Sequence, residues 1–452
     1  MLFAVMLLAA HIDGDAALRH ASELAALGAH PWGSARNSFA AQYVAAQFRT
    51  AGLAEVHLQD YESHGIRGAN VIGVLRAPGP EFVLVAAHHD TAPEAPGAYD
   101  DGGGVGVLIE TARILSRRKE RPRTIVFASF DGEEAWSTGK ATTTGSRAYI
   151  SALGPEARSL VAAFVIEMCG WKGGTPVLHT LAYADPFRPG GSVVAPNWVV
   201  SAALKGSAAA GSPFAVGDPL IPWLYQAGVR AFRANLYGDD LSFLQAGLPA
   251  VFASDSSFAA FYPWYHQPAD GADKLDAASL ARMGQAVEGA VDELSSTTRG
   301  PAADPAWFAA FGRVLGEIPL AVLAIVSVLP GLLAARSVRG LALAARLAQA
   351  VAFGVLFWRH PVPALWVFLL PNLLPRLGLS VARRWWAQAL ALAPALLLAV
   401  LGLVAWRRDF IAGTFVATWE AALAAVALAL LLVGRVGPPP PKFRKTKGPS
   451  PR

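Results

Sequence analysis

The feature that most constrains this chain is a change of solvent along its length. Residues 13–298 mix charged, polar and apolar residues, whereas residues 313–434 are mostly Leu, Ala and Val with few charges. Of the 452 residues, 54% are apolar, above the roughly half expected of a soluble protein. Five apolar segments, 314–335, 341–358, 362–379, 387–406 and 410–433, are each long enough to cross a hydrocarbon layer of about 30 Å. Trp358, Trp385, Trp386 and Trp406 stand at segment ends, where indole rings favour a membrane interface. The pattern predicts an all-α multi-pass transmembrane domain; the alternative is a set of buried helices in a soluble protein. Ahead of it, residues 299–312 read as a linker, because Gly300, Pro301 and Pro305 resist helix continuation. Behind it, residues 435–452 form a basic, Pro-rich tail. Residues 1–12 open with the apolar run Met1–Ala10, about 15 Å if helical and too short to span. It reads as a signal or anchor remnant, or as a frayed helix.

The net charge of +5 falls largely between the apolar segments and in the tail, not along one helix face, so it reads as membrane topology and not as a nucleic-acid surface. With Lys442, Arg444, Lys445 and Lys447 cytoplasmic, five spans put Arg336, Arg339, Arg383 and Arg384 on the same side. Arg359, Arg407 and Arg408 are left opposite. This predicts residues 13–298 outside the cytoplasm, in a periplasm, a lumen or the cell exterior. Glu420, near the middle of the last segment, predicts a buried polar pair, with Arg346 as candidate partner. Cys169 is the only cysteine, so there is no intramolecular disulfide and no thiolate metal cage. Any metal is held by His, Asp and Glu.

Within residues 13–298 the pattern is α/β. Helical spacing covers Ala16–Leu27, Phe39–Ala51, Val105–Arg117 and Ala277–Leu294; short apolar runs at Phe82–Ala87, Thr124–Phe130, Leu160–Ile166 and Ala250–Ala253 read as strands. Strands alternating with helices predict a three-layer α/β/α domain on a mixed, mostly parallel sheet. In such sheets ligands bind beyond the carboxyl ends of the strands. The acidic and imidazole residues cluster at those ends. Ala86-Ala-His88-His-Asp90 follows the first run; His88 is a candidate ligand, and Asp90, back on the same side of an extended chain, is placed to orient its ring. Gly97-Ala-Tyr-Asp100-Asp-Gly-Gly-Gly104 enters a helix, with Asp100 able to bridge two cations and Asp101 suited to an N-cap. No Gly-Lys-Ser/Thr follows, which excludes a P-loop. Phe130-Asp-Gly-Glu133-Glu134 delivers two adjacent carboxylates; one can ligate while the other takes a proton. Glu167 ends the next strand, and Phe261-Tyr-Pro-Trp-Tyr-His266-Gln-Pro-Ala-Asp270 is an aromatic loop carrying one imidazole.

Taken together, this series resembles the zinc peptidases of clan MH, the family of bacterial leucyl aminopeptidases and glutamate carboxypeptidases, over about residues 25–295. The resemblance implies two zinc ions, with His88, Asp100 and Glu167 on one and Asp100, Glu134 and His266 on the other, and with Glu133 as general base. It implies a peptide substrate with a free N-terminus. Glu167 stands where secreted members commonly have Asp, and is similar in this to the membrane-bound endoplasmic reticulum metallopeptidase type. The path from Ala135 to Thr144 is lengthened, which with Phe130–Trp136 also resembles glutaminyl cyclases, acyltransferases of the same fold that use one zinc. A receptor-like domain without catalysis is the third reading. Trp198, Trp223, Tyr225, Phe261, Tyr262 and Trp264 are candidates for an apolar side-chain pocket. The sequence carries no signal for oligomeric state.

Overall fold

In the computed structural model the described residues are 12–135, 143–179, 181–183, 192–216, 238–255, 262–300, 308–310 and 313–315. The chain divides into one unit of Met1–Val229 with Arg233–Glu317, which contains all of them, and a second of Arg230–Phe232 with Ile318–Arg452. The expected signal remnant, the apolar segments beyond residue 315, the tail, Trp223, Tyr225, Phe261, Arg346 and Glu420 lie outside the described residues. Among the described residues no helix is long and apolar enough to cross a membrane.

The strands are β1 (Glu55–Ser63), β2 (Ile66–Leu75), β3 (Phe82–His88), β4 (Thr124–Phe130), β5 (Leu160–Ile166), β6 (Pro176–His179), β7 (Leu181–Tyr183), β8 (Ser192–Val194), β9 (Ala215–Val216), β10 (Ala250–Asp255), β11 (Phe308–Ala310) and β12 (Arg313–Leu315). The helices are α1 (Gly14–Ala26), α2 (Ala35–Thr50), α3 (Gly103–Ser116), α4 (Thr144–Leu153), α5 (Asn197–Ala209), α6 (Asp240–Gln245) and α7 (Ala277–Ser296). Eight strands form the main sheet in the order β1-β2-β4-β3-β5-β10-β6-β9. β4, β3, β5 and β10 run parallel, and β1, β2 and β6 join antiparallel to their inner neighbours. β11 pairs antiparallel with β12, so short strands occupy part of the expected linker and the first residues of the first apolar segment.

Alternation of side chains decides the layering. Val83, Val85, Ile125, Phe127, Val161 and Phe164 pack with residues of α2, α3, α5 and α7 on one face. Leu84, Ala86, Val126, Phe130, Ala163 and Val165 pack with Tyr149 of α4 and with Leu241 and Phe243 of α6 on the other. Burial on both faces is why β3, β4 and β5 are apolar at almost every position. Three helices, α1, α2 and α7, start where the sequence supplies a side-chain acceptor: Asp13 takes the Ala16 amide at 3.0 Å, Ser34 the Asn37 amide at 3.1 Å and Asp276 the Ser279 amide at 2.7 Å.

From β3 the chain crosses through α3 to β4 on one side, then through α4 on the opposite face to β5 on the other side of β3. That reversal opens a crevice at the carboxyl end of β3, the place where open α/β sheets bind ligands.

Candidate metal centre

Four parallel strands deliver their last residues to this edge. His88 is the final residue of β3, Asp131–Glu134 follow β4, Glu167 follows β5 and Asp255 ends β10. Asp100 comes from a one-turn π-helical segment, Ala98–Gly102, that enters α3, and the Asp100–Asp101 peptide is cis. His266 comes from the 262–270 loop, in the left-handed region with φ 56°.

Asp100 sits between the two imidazoles. Its Oδ1 is 3.2 Å from His88 Nε2, and its Oδ2 is 3.2 Å from His266 Nε2. His266 Nε2 also lies 2.7 Å from Glu134 Oε1. Among the described residues, one set of ligand atoms, from Asp100, Glu134 and His266, lies within 4.8 Å of one another. Glu167 does not close to that distance with His88 and Asp100; its carboxylate accepts the Asp239 amide at 3.2 Å. Gly238 is pressed against it, since a Cβ there would lie 1.9 Å from Glu167 Oε1.

The donor set suits a divalent cation. His88, Asp100, Glu133, Glu134 and Glu167 are all buried, and four carboxylates face two imidazoles there. A buried surplus of negative charge needs a cation or protons. Burial opposes charge on His266, yet the Asp100 and Glu134 carboxylates outweigh it and push its pKa up to about 10. For His88, too, burial is overcome by Asp100 and Asp90, and its pKa lies well above the ordinary value. Burial, reinforced by the Glu167 charge, pushes the Glu133 carboxyl well up; Glu167 is raised mainly by its own burial. Oxygen and imidazole nitrogen are ligands that zinc accepts.

Asp90 faces His88 Nδ1 with both its carbonyl and its carboxylate. The orienting acceptor for His88 Nδ1 is the Asp90 backbone carbonyl at 3.0 Å, and the carboxylate is farther, at 3.5 Å. The carboxylate also accepts the amides of Glu133 at 3.1 Å and Glu134 at 3.0 Å, which ties the His88 turn to the Glu133 loop. Asp101 accepts the expected first-turn amide, from Gly104 at 3.0 Å, and also those of Met168 at 3.1 Å and His88 at 3.3 Å.

Two further acids brace the same edge. Asp270 accepts the amides of Tyr99 at 3.0 Å and Asp100 at 3.3 Å and the Tyr262 hydroxyl at 2.8 Å. Asp255 accepts the Tyr99 hydroxyl at 2.8 Å and the amides of Gly170 and Trp171 at 3.0 Å each. Tyr262 and Trp264 join Trp171 and Tyr99 in an aromatic group beside the Asp100 turn, whereas Trp198 packs against the opposite, larger core. The Tyr265 ring stacks on His266 at 3.6 Å.

A buried cluster of carboxylates and imidazoles at the carboxyl edge of a three-layer sheet defines a metal-dependent enzyme domain of α/β type. Residues 70–291 match the model of peptidase family M28, and this part of the chain is an M28 zinc-metallopeptidase domain. Aminopeptidase YwaD of Bacillus subtilis is 27% identical over 241 residues, covering 51% of this chain and 46% of that protein. Endoplasmic reticulum metallopeptidase 1 of Homo sapiens is 27% identical over 225 residues, 48% of this chain and 21% of that protein. The chain thus spans less than half the length of either relative. BSAP, a zinc aminopeptidase from Bacillus subtilis, has a similar fold, with a TM-score of 0.50 at 16% identity over 62% of this chain and 94% of that one.

Proposed function

We propose that the M28 domain removes N-terminal residues from peptides, with Glu133 as general base and with zinc as its metal. His88, Asp100 and Glu167 would hold one ion, and Asp100, Glu134 and His266 a second. The observation that carries this reading is Asp100, whose two oxygens each face a different imidazole at 3.2 Å. Zinc, when bound, supplies a Lewis acid that polarises the scissile carbonyl and acidifies water. Glu133 takes a proton from the attacking water and gives it to the leaving amine. Its burial suits that task, because a carboxyl whose pKa is raised accepts and releases a proton closer to neutrality. The choice of the N-terminal end is supported by relatives named as aminopeptidases. We further propose that residues 313–434 hold the chain in a bilayer with this domain outside the cytoplasm, on the support of the apolar segments and flanking arginines.

The test is zinc content measured together with activity on a panel of aminoacyl amides, for the wild type and Glu133→Gln. About two zinc ions in both proteins, with activity in the wild type alone, supports the reading. One zinc with cyclisation of N-terminal glutamine replaces it with a cyclase, and no zinc with no activity replaces it with a binding domain. For the membrane proposal, extraction of the full chain by alkaline carbonate would refute the anchor.

A further inference from the structure

The loop that carries Glu133 leaves β4 at Asp131 and returns to α4 at Gly145. Its two ends approach so closely that a Cβ on Gly145 would lie 2.2 Å from the Asp131 carbonyl oxygen and 2.3 Å from Asn70 Oδ1. Asn70, on β2 and fully buried, lies between them. Its Oδ1 accepts the Asp131 amide at 3.1 Å, and its Nδ2 donates to the Gly145 carbonyl and to Gln59 Oε1, both at 2.9 Å. Gln59 is the register partner of Asn70 on β1, so the amide group is itself held in orientation. One side chain thus ties the entry and the exit of the loop to the β1–β2 hairpin.

Other bonds close the same base. Tyr61 of β1 donates its hydroxyl to the Asp131 carbonyl at 2.8 Å. The Thr144 amide donates to the Gly132 carbonyl at 2.9 Å, and the Thr143 amide to that of Glu133 at 3.3 Å. Only Gly132, in the left-handed region with φ 73°, separates Asp131 from Glu133, so the clasped end lies within two residues of the base. We infer that Asn70 is a positioning residue for Glu133: it sets where the base carboxylate stands by clasping both ends of its loop, while touching neither substrate nor metal ligand. This rests on the reading of Glu133 as general base.

The experiment uses the full chain and a double-mutant cycle. Asn70→Asp keeps the volume and the acceptor for Asp131 but turns the donor to Gly145 into a second oxygen facing two acceptors. The expected result is a fall in kcat of about 10- to 100-fold, with KM and zinc content as in the wild type. In a Glu133→Gln background the same substitution should lower the residual rate no further, because its effect runs through that carboxylate. Losses that multiply in the double variant, or loss of bound zinc, overturn the inference. If Asn70→Asp does not fold, Tyr61→Phe removes a second tie to Asp131. It should cost about fivefold in kcat, again with no further loss in the Glu133→Gln background. Wild-type kcat in Glu133→Gln alone refutes the base reading itself, so the two failures are distinguishable.

Discussion

Replacing Asp270 by Asn tests whether the turn that presents Asp100 is held from beneath. Burial raises the Asp270 carboxyl to about 6, which leaves it ionised and acceptor-only at neutral pH. Its Oδ1 takes the Tyr99 amide and the Tyr262 hydroxyl, and its Oδ2 takes the Asp100 amide. Asn can keep the first pair, now as neutral bonds of roughly half the strength. It then sets an NH2 group against the Asp100 N–H. Losing one hydrogen bond to a charged acceptor costs about 1.5–3 kcal/mol, and halving the other two brings the gross loss to about 3–6 kcal/mol, part of which is offset because Asn buries no charge. A domain stable by about 5–15 kcal/mol survives that loss. Released from its acceptor, Asp100 should hold zinc about 10- to 100-fold less tightly. Urea unfolding of zinc-loaded and zinc-stripped protein, with competition against a chelator, measures both quantities. The loss should be larger in the loaded protein, because ligand binding adds to stability in proportion to its affinity. A variant that loses stability but binds zinc like the wild type would refute the link to Asp100, and one that loses neither would refute the hydrogen bonds.

Three other perturbations follow from single contacts. Gly145→Ala forces a methyl group against the Asp131 carbonyl and Asn70, and should destabilise by about 1–3 kcal/mol, read as a lower Tm. Arg123 donates to the carbonyls of Leu294, Ser295 and Thr297 at the end of α7 and to Glu81; Arg123→Ala should cost about 1–2 kcal/mol in denaturant unfolding and expose that end to hydrogen exchange. Chelator-driven zinc loss should be faster near pH 5 than near pH 7.5, because protons compete with the cation for His88, His266 and the carboxylates. Loss rates independent of pH would show that those imidazoles are not ligands.

The parts of the fold legible in the sequence are those set by burial on two faces. β4 and β5 occupy the predicted Thr124–Phe130 and Leu160–Ile166, since only buried parallel strands need such unbroken apolar runs. The hairpin of β1 and β2 escaped because β1, Glu-Val-His-Leu-Gln-Asp-Tyr-Glu-Ser, is half exposed on an edge and carries no clean alternation. β10 extends to Asp255, two residues beyond the apolar run Ala250–Ala253, which hides Asp255 as a strand-terminal acid. For the candidate site, every acid and imidazole named from motif order lies at one sheet edge, but the order could not say which atoms meet. Thus Asp90 works through its carbonyl on His88 and through its carboxylate on the Glu133–Glu134 amides. Asn70 gave no signal, because a lone Asn in an apolar strand reads as an irregularity.

The buried acids at this edge divide by what they accept. Asp90, Asp101, Asp255 and Asp270 each receive backbone amides from at least two residues, and each joins separate segments: Asp90 the β3 end to the Glu133 loop, Asp101 the ends of β3 and β5 to α3, Asp255 the β10 end to the turn after β5, and Asp270 the aromatic loop to the Asp100 turn. Such bonds favour the ionised form and repay part of the cost of burying it. Asp100 and Glu134 instead face imidazoles. A carboxylate saturated by amides is a poor metal ligand, and one facing a second donor across a gap is a good one. The division therefore separates the acids that build the cup from those that fill it, although all six are buried carboxylates. It also predicts different responses to conservative substitution: Asp→Asn in the amide-holding set should cost stability even without metal, whereas Asp100→Asn should cost metal first. Equal stability losses in the zinc-stripped variants of both sets would defeat this division.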